Sequence, residues 1–195
     1  MNTTTKNGRT IAIVASGLAA VLVASLAVAY FPSSESRQLA NKLKSDDSNE
    51  RYKAAKKLED LGANAHEAVD ELALTLSDSD PKVRYRSAKA LSKVGEPAVK
   101  AMPELIKALK DSDREVRYYT AKTLCKLGKA AEPARDAVIE ALTDKDPEIR
   151  VYLVKSLKDT GEDYEPAMKA VKKLENDSNP KVREAVKDAI EDLRD

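Results

Sequence analysis

Residues 109–117 read Leu-Lys-Asp-Ser-Asp-Arg-Glu-Val-Arg, and the same pattern stands one period earlier at 76–84 and one period later at 142–150. All three copies begin with leucine, carry aspartate at the third and fifth places, and end with Val-Arg or Ile-Arg. The period is about 33 residues, which is typical of proteins built from stacked helical units. The chain therefore divides into repeated units, each of which cannot bury its apolar side until a neighbour packs on it.

Columns of equivalent residues extend this register through five units. The arginine that ends the pattern recurs at Arg51, Arg84, Arg117, Arg150 and Arg183. An aspartate stands six residues before the last four of these, at Asp78, Asp111, Asp144 and Asp177. The first unit has Ser45 in the aspartate column, and its departure from the pattern is typical of a capping unit at the end of a stack.

A second set of columns marks helix ends. Residues suited to the N-cap of a helix recur at Asp47, Asp80, Asp113, Asp146 and Asn179. A glycine follows in four units, at Gly62, Gly95, Gly128 and Gly161, where a helix can end in a left-handed turn. Between cap and glycine the apolar residues have helical spacing, and a further apolar pattern before each cap indicates a second helix. We expect an all-α fold, an α-solenoid of about five helix pairs over residues 38–195.

The pattern of residues 109–117, continued by Ala121, Leu124 and Gly128, resembles the HEAT repeat, especially the short bacterial variety named after phycobilisome lyase subunits. The resemblance covers residues 38–195. It implies a right-handed superhelix in which the helix carrying Val-Arg lines the concave side. It also implies that the aspartate and arginine columns form a ladder between adjacent units.

The amino-terminal segment has a different composition. Lys6 and Arg9 precede an uncharged, largely apolar stretch, residues 11–31, which would be roughly 31 Å long as a helix at about 1.5 Å per residue. The pattern predicts either a single-pass membrane anchor or a signal peptide cleaved after Ala29, followed by a short linker at 32–37. Both alternatives place the repeats outside the cytoplasm, at the cell membrane or in a secreted or periplasmic form. A buried core helix is a third interpretation of the same stretch.

The charge balance narrows the choice of partner. The chain has 34 basic and 33 acidic residues, of which Lys6, Arg9 and Glu35 lie in residues 1–36, and residues 37–195 therefore contain 32 basic and 32 acidic residues. A general nucleic-acid-binding surface needs a net basic face, so this formally neutral domain is expected to bind no nucleic acid.

The sequence offers little for catalysis or metal binding. His66 is the single histidine and Cys125 the single cysteine, so we expect no catalytic centre, cofactor or metal site. Deoxyhypusine hydroxylases, an enzyme family with HEAT-like repeats, bind iron through several His-Glu pairs, and the one pair His66-Glu67 cannot supply that site. The phycobilisome lyase subunits imply a second alternative, a lyase-type subunit that assists an enzyme.

The candidate binding surface is a stripe of tyrosines and cations on the Val-Arg helices. Lysines recur four residues after one tyrosine column, on the same face of the helix. We name as the Tyr/Lys stripe the residues Tyr52, Tyr85, Arg86, Lys89, Tyr118, Tyr119, Lys122, Tyr152 and Lys155. Either these tyrosines pack between units while the lysines are solvated, or the stripe binds an acidic protein segment, an anionic glycan or a lipid headgroup. The leading hypothesis is a protein-interaction scaffold; a purely architectural envelope protein is a further alternative.

Overall fold

The computed structural model describes residues 34–160 and 164–192. The predictions for the segment 1–31 and for Gly161 lie outside the described residues. Within the described ranges every regular element is a helix, so the expected all-α repeat architecture is confirmed. None of the helices in these ranges is both long enough and apolar enough to cross a bilayer.

Ten α-helices follow one another in the part of the chain that the structure describes. In chain order they are α1 (Glu35–Lys42), α2 (Ser48–Leu61), α3 (Val69–Leu74), α4 (Pro81–Val94), α5 (Met102–Ala108), α6 (Arg114–Leu127), α7 (Arg135–Ala141), α8 (Pro147–Thr160), α9 (Glu165–Lys172) and α10 (Pro180–Asp192). Odd-numbered helices are the first helix of a unit, and even-numbered helices are the second.

The second helices begin and end where the sequence columns predict. The side chains of Asp47, Asp80 and Asp113 each accept a hydrogen bond from the backbone N–H two residues later, at 2.8 Å. Asp146 and Asn179 do the same in the last two units. Three glycines follow with positive φ, 56° at Gly62, 85° at Gly95 and 52° at Gly128, a conformation that costs other residues energy.

The first helices are less regular than the sequence pattern predicts. In the second, third and fourth units a 3₁₀ segment precedes the α-helix, at Gly62–Ala68, Glu96–Ala101 and Gly128–Ala134. Pro103 lies at the start of α5, where its missing N–H would be unpaired in any case. Two alanines on each 3₁₀ segment are buried, so these tight turns place small side chains against the neighbouring helices.

The first unit begins earlier than expected. Helix α1 starts at Glu35, so residues 35–37 belong to the repeat domain and not to a linker. The physical reason is burial at helical spacing, because Ser36, Leu39 and Ala40 all face the interior.

Stacking of the second helices positions the surface of interest. The most extensive contacts between helices join α2 to α4, α4 to α6, α6 to α8 and α8 to α10. Leu58, Leu91, Leu124 and Leu157, one equivalent residue from each of the first four units, are fully buried between them. The even-numbered helices therefore form one continuous layer, and residues in the same column lie beside one another across it.

Candidate functional site

The arginine and aspartate columns meet between adjacent units. Four of the five arginines pair with the aspartate 27 residues later, with closest N–O distances of 2.6 Å for Arg51–Asp78, 2.8 Å for Arg84–Asp111, 2.6 Å for Arg117–Asp144 and 2.7 Å for Arg150–Asp177. The same guanidinium groups donate to backbone carbonyl groups of their own units. These pairs are bidentate and largely shielded from water, so they fix the distance between successive units.

The ends of this ladder differ from its middle. Arg183 donates to the carbonyl oxygens of Asp177 and Ser178 but pairs with no carboxylate among residues 34–160 and 164–192. At the other end, Arg51 does pair with Asp78 although Ser45 replaces the aspartate of its own unit. The ladder therefore begins at the arginine of the first unit.

Four of the tyrosines form an unbroken chain of ring contacts across α4, α6 and α8. The ring centroids of Tyr85 and Tyr119 are 5.8 Å apart, those of Tyr119 and Tyr118 are 5.1 Å apart, and those of Tyr118 and Tyr152 are 5.4 Å apart. Two of these contacts join adjacent units, so inter-unit packing is one role of the rings. All four rings are only partly buried and also face solvent.

Two of the three lysines of the stripe, Lys89 and Lys122, lie over these rings. The ammonium group of Lys122 is 5.9 Å from the ring centroids of Tyr118 and Tyr119 and 6.0 Å from that of Tyr152. These distances are at the outer limit of a cation–π interaction, which is about 6 Å. Interaction with the Tyr118 hydroxyl, together with burial, raises the pKa of Tyr152 to about 12, so its hydroxyl stays protonated at neutral pH.

The stripe has an amino-terminal half (Tyr52, Tyr85, Arg86 and Lys89) and a carboxy-terminal half (Tyr118, Tyr119, Lys122, Tyr152 and Lys155). The amino-terminal half lies around a carboxylate that the sequence columns did not single out. Glu59 on α2 has a side chain only 6% exposed, and its oxygens lie 2.7 Å from Arg86, 3.1 Å from Lys89 and 3.1 Å from Lys93. Arg86 also donates to the Tyr52 hydroxyl at 3.2 Å. Burial raises the pKa of Glu59, but hydrogen bonds from the three cations outweigh it, and the net pKa is lowered. Glu59 is therefore ionised and fully engaged.

The carboxy-terminal half of the stripe is not neutralised in this way. Neither Lys122 nor Lys155 has a carboxylate within 4.0 Å in the ranges that the structure describes. Beside them lies an open cavity of about 330 Å³ between α8 and α10. Its lining comprises Tyr118, Pro147, Glu148, Val151, Tyr152, Lys155, Asn179, Pro180 and Lys181.

Arg114 pairs with the carboxylates at the edge of this cavity. Its guanidinium donates to Asp146 at 2.7 Å and to Glu115 and Glu148 at 2.6 Å, and it lies 4.9 Å from the Tyr118 ring centroid. Glu148, the one carboxylate lining the cavity, is therefore already paired. The repeat pattern did not predict a role for Arg114, because the equivalent residues in the neighbouring units are prolines.

The single histidine, His66, and the single cysteine, Cys125, do not line this cavity. His66 is exposed on a 3₁₀ segment, with its Nδ1 atom 3.2 Å from the carbonyl oxygen of Ala63. Burial raises the pKa of the Cys125 thiol, which disfavours the reactive thiolate. Within residues 34–160 and 164–192 no group of three or more His, Cys, Asp or Glu side chains could hold a metal ion.

Comparison with known families agrees with this geometry. The model for HEAT repeats matches residues 36–102 and 102–191. The chain belongs to the HEAT-repeat family. No curated protein sequence is significantly similar to it.

Solved structures with a similar fold include a designed repeat protein bound to a peptide and a natural complex of two subunits. One is a designed armadillo repeat protein in complex with the peptide (KR)4, with a TM-score of 0.69, 16% identity and 80% of each chain covered. Another is the complex of CpcE and CpcF of phycocyanin lyase from Nostoc sp. PCC7120, with a TM-score of 0.66 and 24% identity over 84% of this chain and 68% of that chain. At these identities the similarity concerns the fold alone.

Proposed function

We propose that this HEAT-repeat chain is a non-catalytic scaffold that binds a protein partner along the Tyr/Lys stripe. The observation that carries the proposal is the continuous row of four partly buried tyrosines with the ammonium groups of Lys89 and Lys122 above them. Tyrosine supplies large contact area at low conformational cost, and lysine supplies charge that accelerates encounter. Peptide or subunit binding by the armadillo and lyase proteins of similar fold supports a protein partner for this one.

A site-specific cross-link can test this proposal. We expect a photoreactive phenylalanine analogue in place of Lys126, which is exposed beside the stripe on α6, to capture a partner in cells. The same analogue in place of Lys107, exposed on α5 in the other layer, is the matched control and should capture none or far less. Capture of the same proteins at both positions, or at neither, would contradict a binding role for the stripe.

We further propose that residues 11–31 direct the repeats out of the cytoplasm, as an anchor or as a cleaved signal. Lys6 and Arg9 before the uncharged stretch support this orientation, because cytoplasmic flanks are enriched in basic residues. A reporter active only outside the cytoplasm, fused after Asp195, should be active. Activity of a cytoplasm-only reporter at the same position would refute the topology, and the mass of the mature chain would show whether cleavage occurs after Ala29.

A lyase-type assisting subunit is the alternative function, since such a subunit would have the same fold. No residue of the Tyr/Lys stripe favours it. Its cross-linked partner would be a dedicated subunit, so the Lys126 experiment also distinguishes this alternative.

A further inference from the structure

The two halves of the Tyr/Lys stripe differ in their electrostatic state. In the amino-terminal half, the cations Arg86, Lys89 and Lys93 converge on buried Glu59. Lys89 also donates to the Tyr85 hydroxyl at 3.3 Å. An incoming anion would have to compete with these internal bonds. The amino-terminal half therefore stabilises the packing of α2 against α4.

The carboxy-terminal half has the opposite character. Lys122, Lys155 and Lys181 have no carboxylate partner within residues 34–160 and 164–192, and all three lie on or next to the cavity between α8 and α10. The rim carboxylate of Glu148 is held by Arg114 at 2.6 Å. Lys155, Lys181 and Glu148 are the charged residues of the cavity lining, so the lining has a formal net charge of +1, which is complementary to an anionic ligand.

The cavity also has an apolar part. Pro147, Val151 and Pro180 contribute apolar lining, and the rings of Tyr118 and Tyr152 complete it. Its volume of about 330 Å³ is at the low end of the range of small-molecule sites, which is about 300–1,000 Å³. A space of this size and openness fits one large side chain better than a complete cofactor.

The helices that line the cavity set the length of the ligand. Its lining comes from three successive second helices, α6, α8 and α10, and packed helix axes are about 8–10 Å apart. An extended chain that rises about 3.3 Å per residue would cross from the first to the third in roughly six residues. A protein segment can meet this requirement, because it supplies both an apolar side chain and carboxylates on one continuous backbone.

We infer that the partner-binding site is the carboxy-terminal half of the stripe, and that its ligand is an extended acidic protein segment. One apolar or aromatic side chain of the segment occupies the cavity at Val151, and flanking carboxylates meet Lys122, Lys155 and Lys181. This inference rests on the proposed scaffold function and specifies the chemistry of the partner.

Defined peptides test the inference on the purified full-length chain. The probe is a short fluorescein-labelled peptide with a central phenylalanine flanked on both sides by glutamates, and binding is measured by fluorescence anisotropy. We expect binding that weakens with added salt, and a loss of at least about tenfold in affinity when the phenylalanine is replaced by serine. A peptide with lysines in place of the glutamates should not bind.

Two variants and one matched control locate the site. Lys155→Glu should weaken binding of the acidic peptide by at least about tenfold, because attraction is replaced by like-charge repulsion. Lys107→Glu, which makes the same change of charge on α5, should have little effect. Val151→Trp should fill the cavity and remove the preference for phenylalanine over serine, and circular dichroism should show that each variant keeps the helix content of the parent.

Three other results would contradict the inference. Equal effects of Lys155→Glu and Lys107→Glu would overturn the location of the site, because only the overall charge would matter. Binding of the chain to vesicles that contain an anionic lipid, without binding of either acidic peptide, would overturn the inference in favour of a membrane surface. If the cross-linker at Lys126 captures a protein but neither acidic peptide binds, the inference fails while the proposed function stands.

Discussion

Arg117→Met is expected to lower the free energy of unfolding by about 3 kcal/mol. The methionine retains the apolar stem but removes the guanidinium that pairs with Asp144, and the two side chains are only 9% and 7% exposed. Asp144 would then be left as a nearly buried charge without its partner, which is the costly outcome for an ion pair shielded from water. Urea unfolding followed by circular dichroism measures the change.

Arg183→Met provides a matched control for the ladder. Arg183 occupies the same column and also donates to two backbone carbonyl groups, but it pairs with no carboxylate in the described residues. Its substitution should cost less than about 1 kcal/mol, as is usual at an exposed position. Equal losses in the two variants would mean that the backbone hydrogen bonds, and not the inter-unit ion pairs, stabilise the stack.

The second large effect is expected for Glu59→Gln. The substitution preserves the size of the side chain but leaves Arg86 and Lys89 without the carboxylate on which they converge. We expect a loss of roughly 3 kcal/mol at neutral pH. Glu50→Gln, on the same helix, is the control: Glu50 pairs with Lys53 on the surface and should contribute less than about 1 kcal/mol.

The effect of Glu59→Gln should also depend on pH. Because the pKa of Glu59 is lower in the folded chain than in the unfolded chain, its contribution is complete above the unfolded value of about 4.3. The contribution is lost as the pH falls through the folded pKa, where the parent carries a neutral carboxyl group much like the glutamine amide. The stability difference between parent and variant should therefore shrink on acidification below about pH 4, and a constant difference would argue against the charge of Glu59 as its cause.

The periodic part of the molecule follows directly from the sequence. Asp113 caps α6 and Gly128 ends it, because a cap needs a side-chain acceptor and a left-handed turn favours glycine. The cap recurs in all five units and the glycine in the first four. Buried Leu124 was equally predictable from helical spacing. The ladder pairing was implied by the family resemblance, and the structure shows each pair crossing from one unit to the next.

The functional division of the stripe depended on the tertiary structure. The column pattern placed Tyr85, Lys89, Lys122 and Lys155 on one helical face, but it treated all lysines alike. Arg114 does not recur in its column, and Glu59 recurs only at Glu191 in the last unit, so periodicity did not mark either residue. Ion pairing depends on which side chains of neighbouring units approach within a few ångströms, and packing brings Glu59 to Lys89 while leaving Lys155 beside an open cavity.

The sequence by itself determined the repeat, its helix ends and its apolar seam, because these need only local spacing. Only the tertiary structure decided which charges are compensated, because compensation is a property of contacts between units.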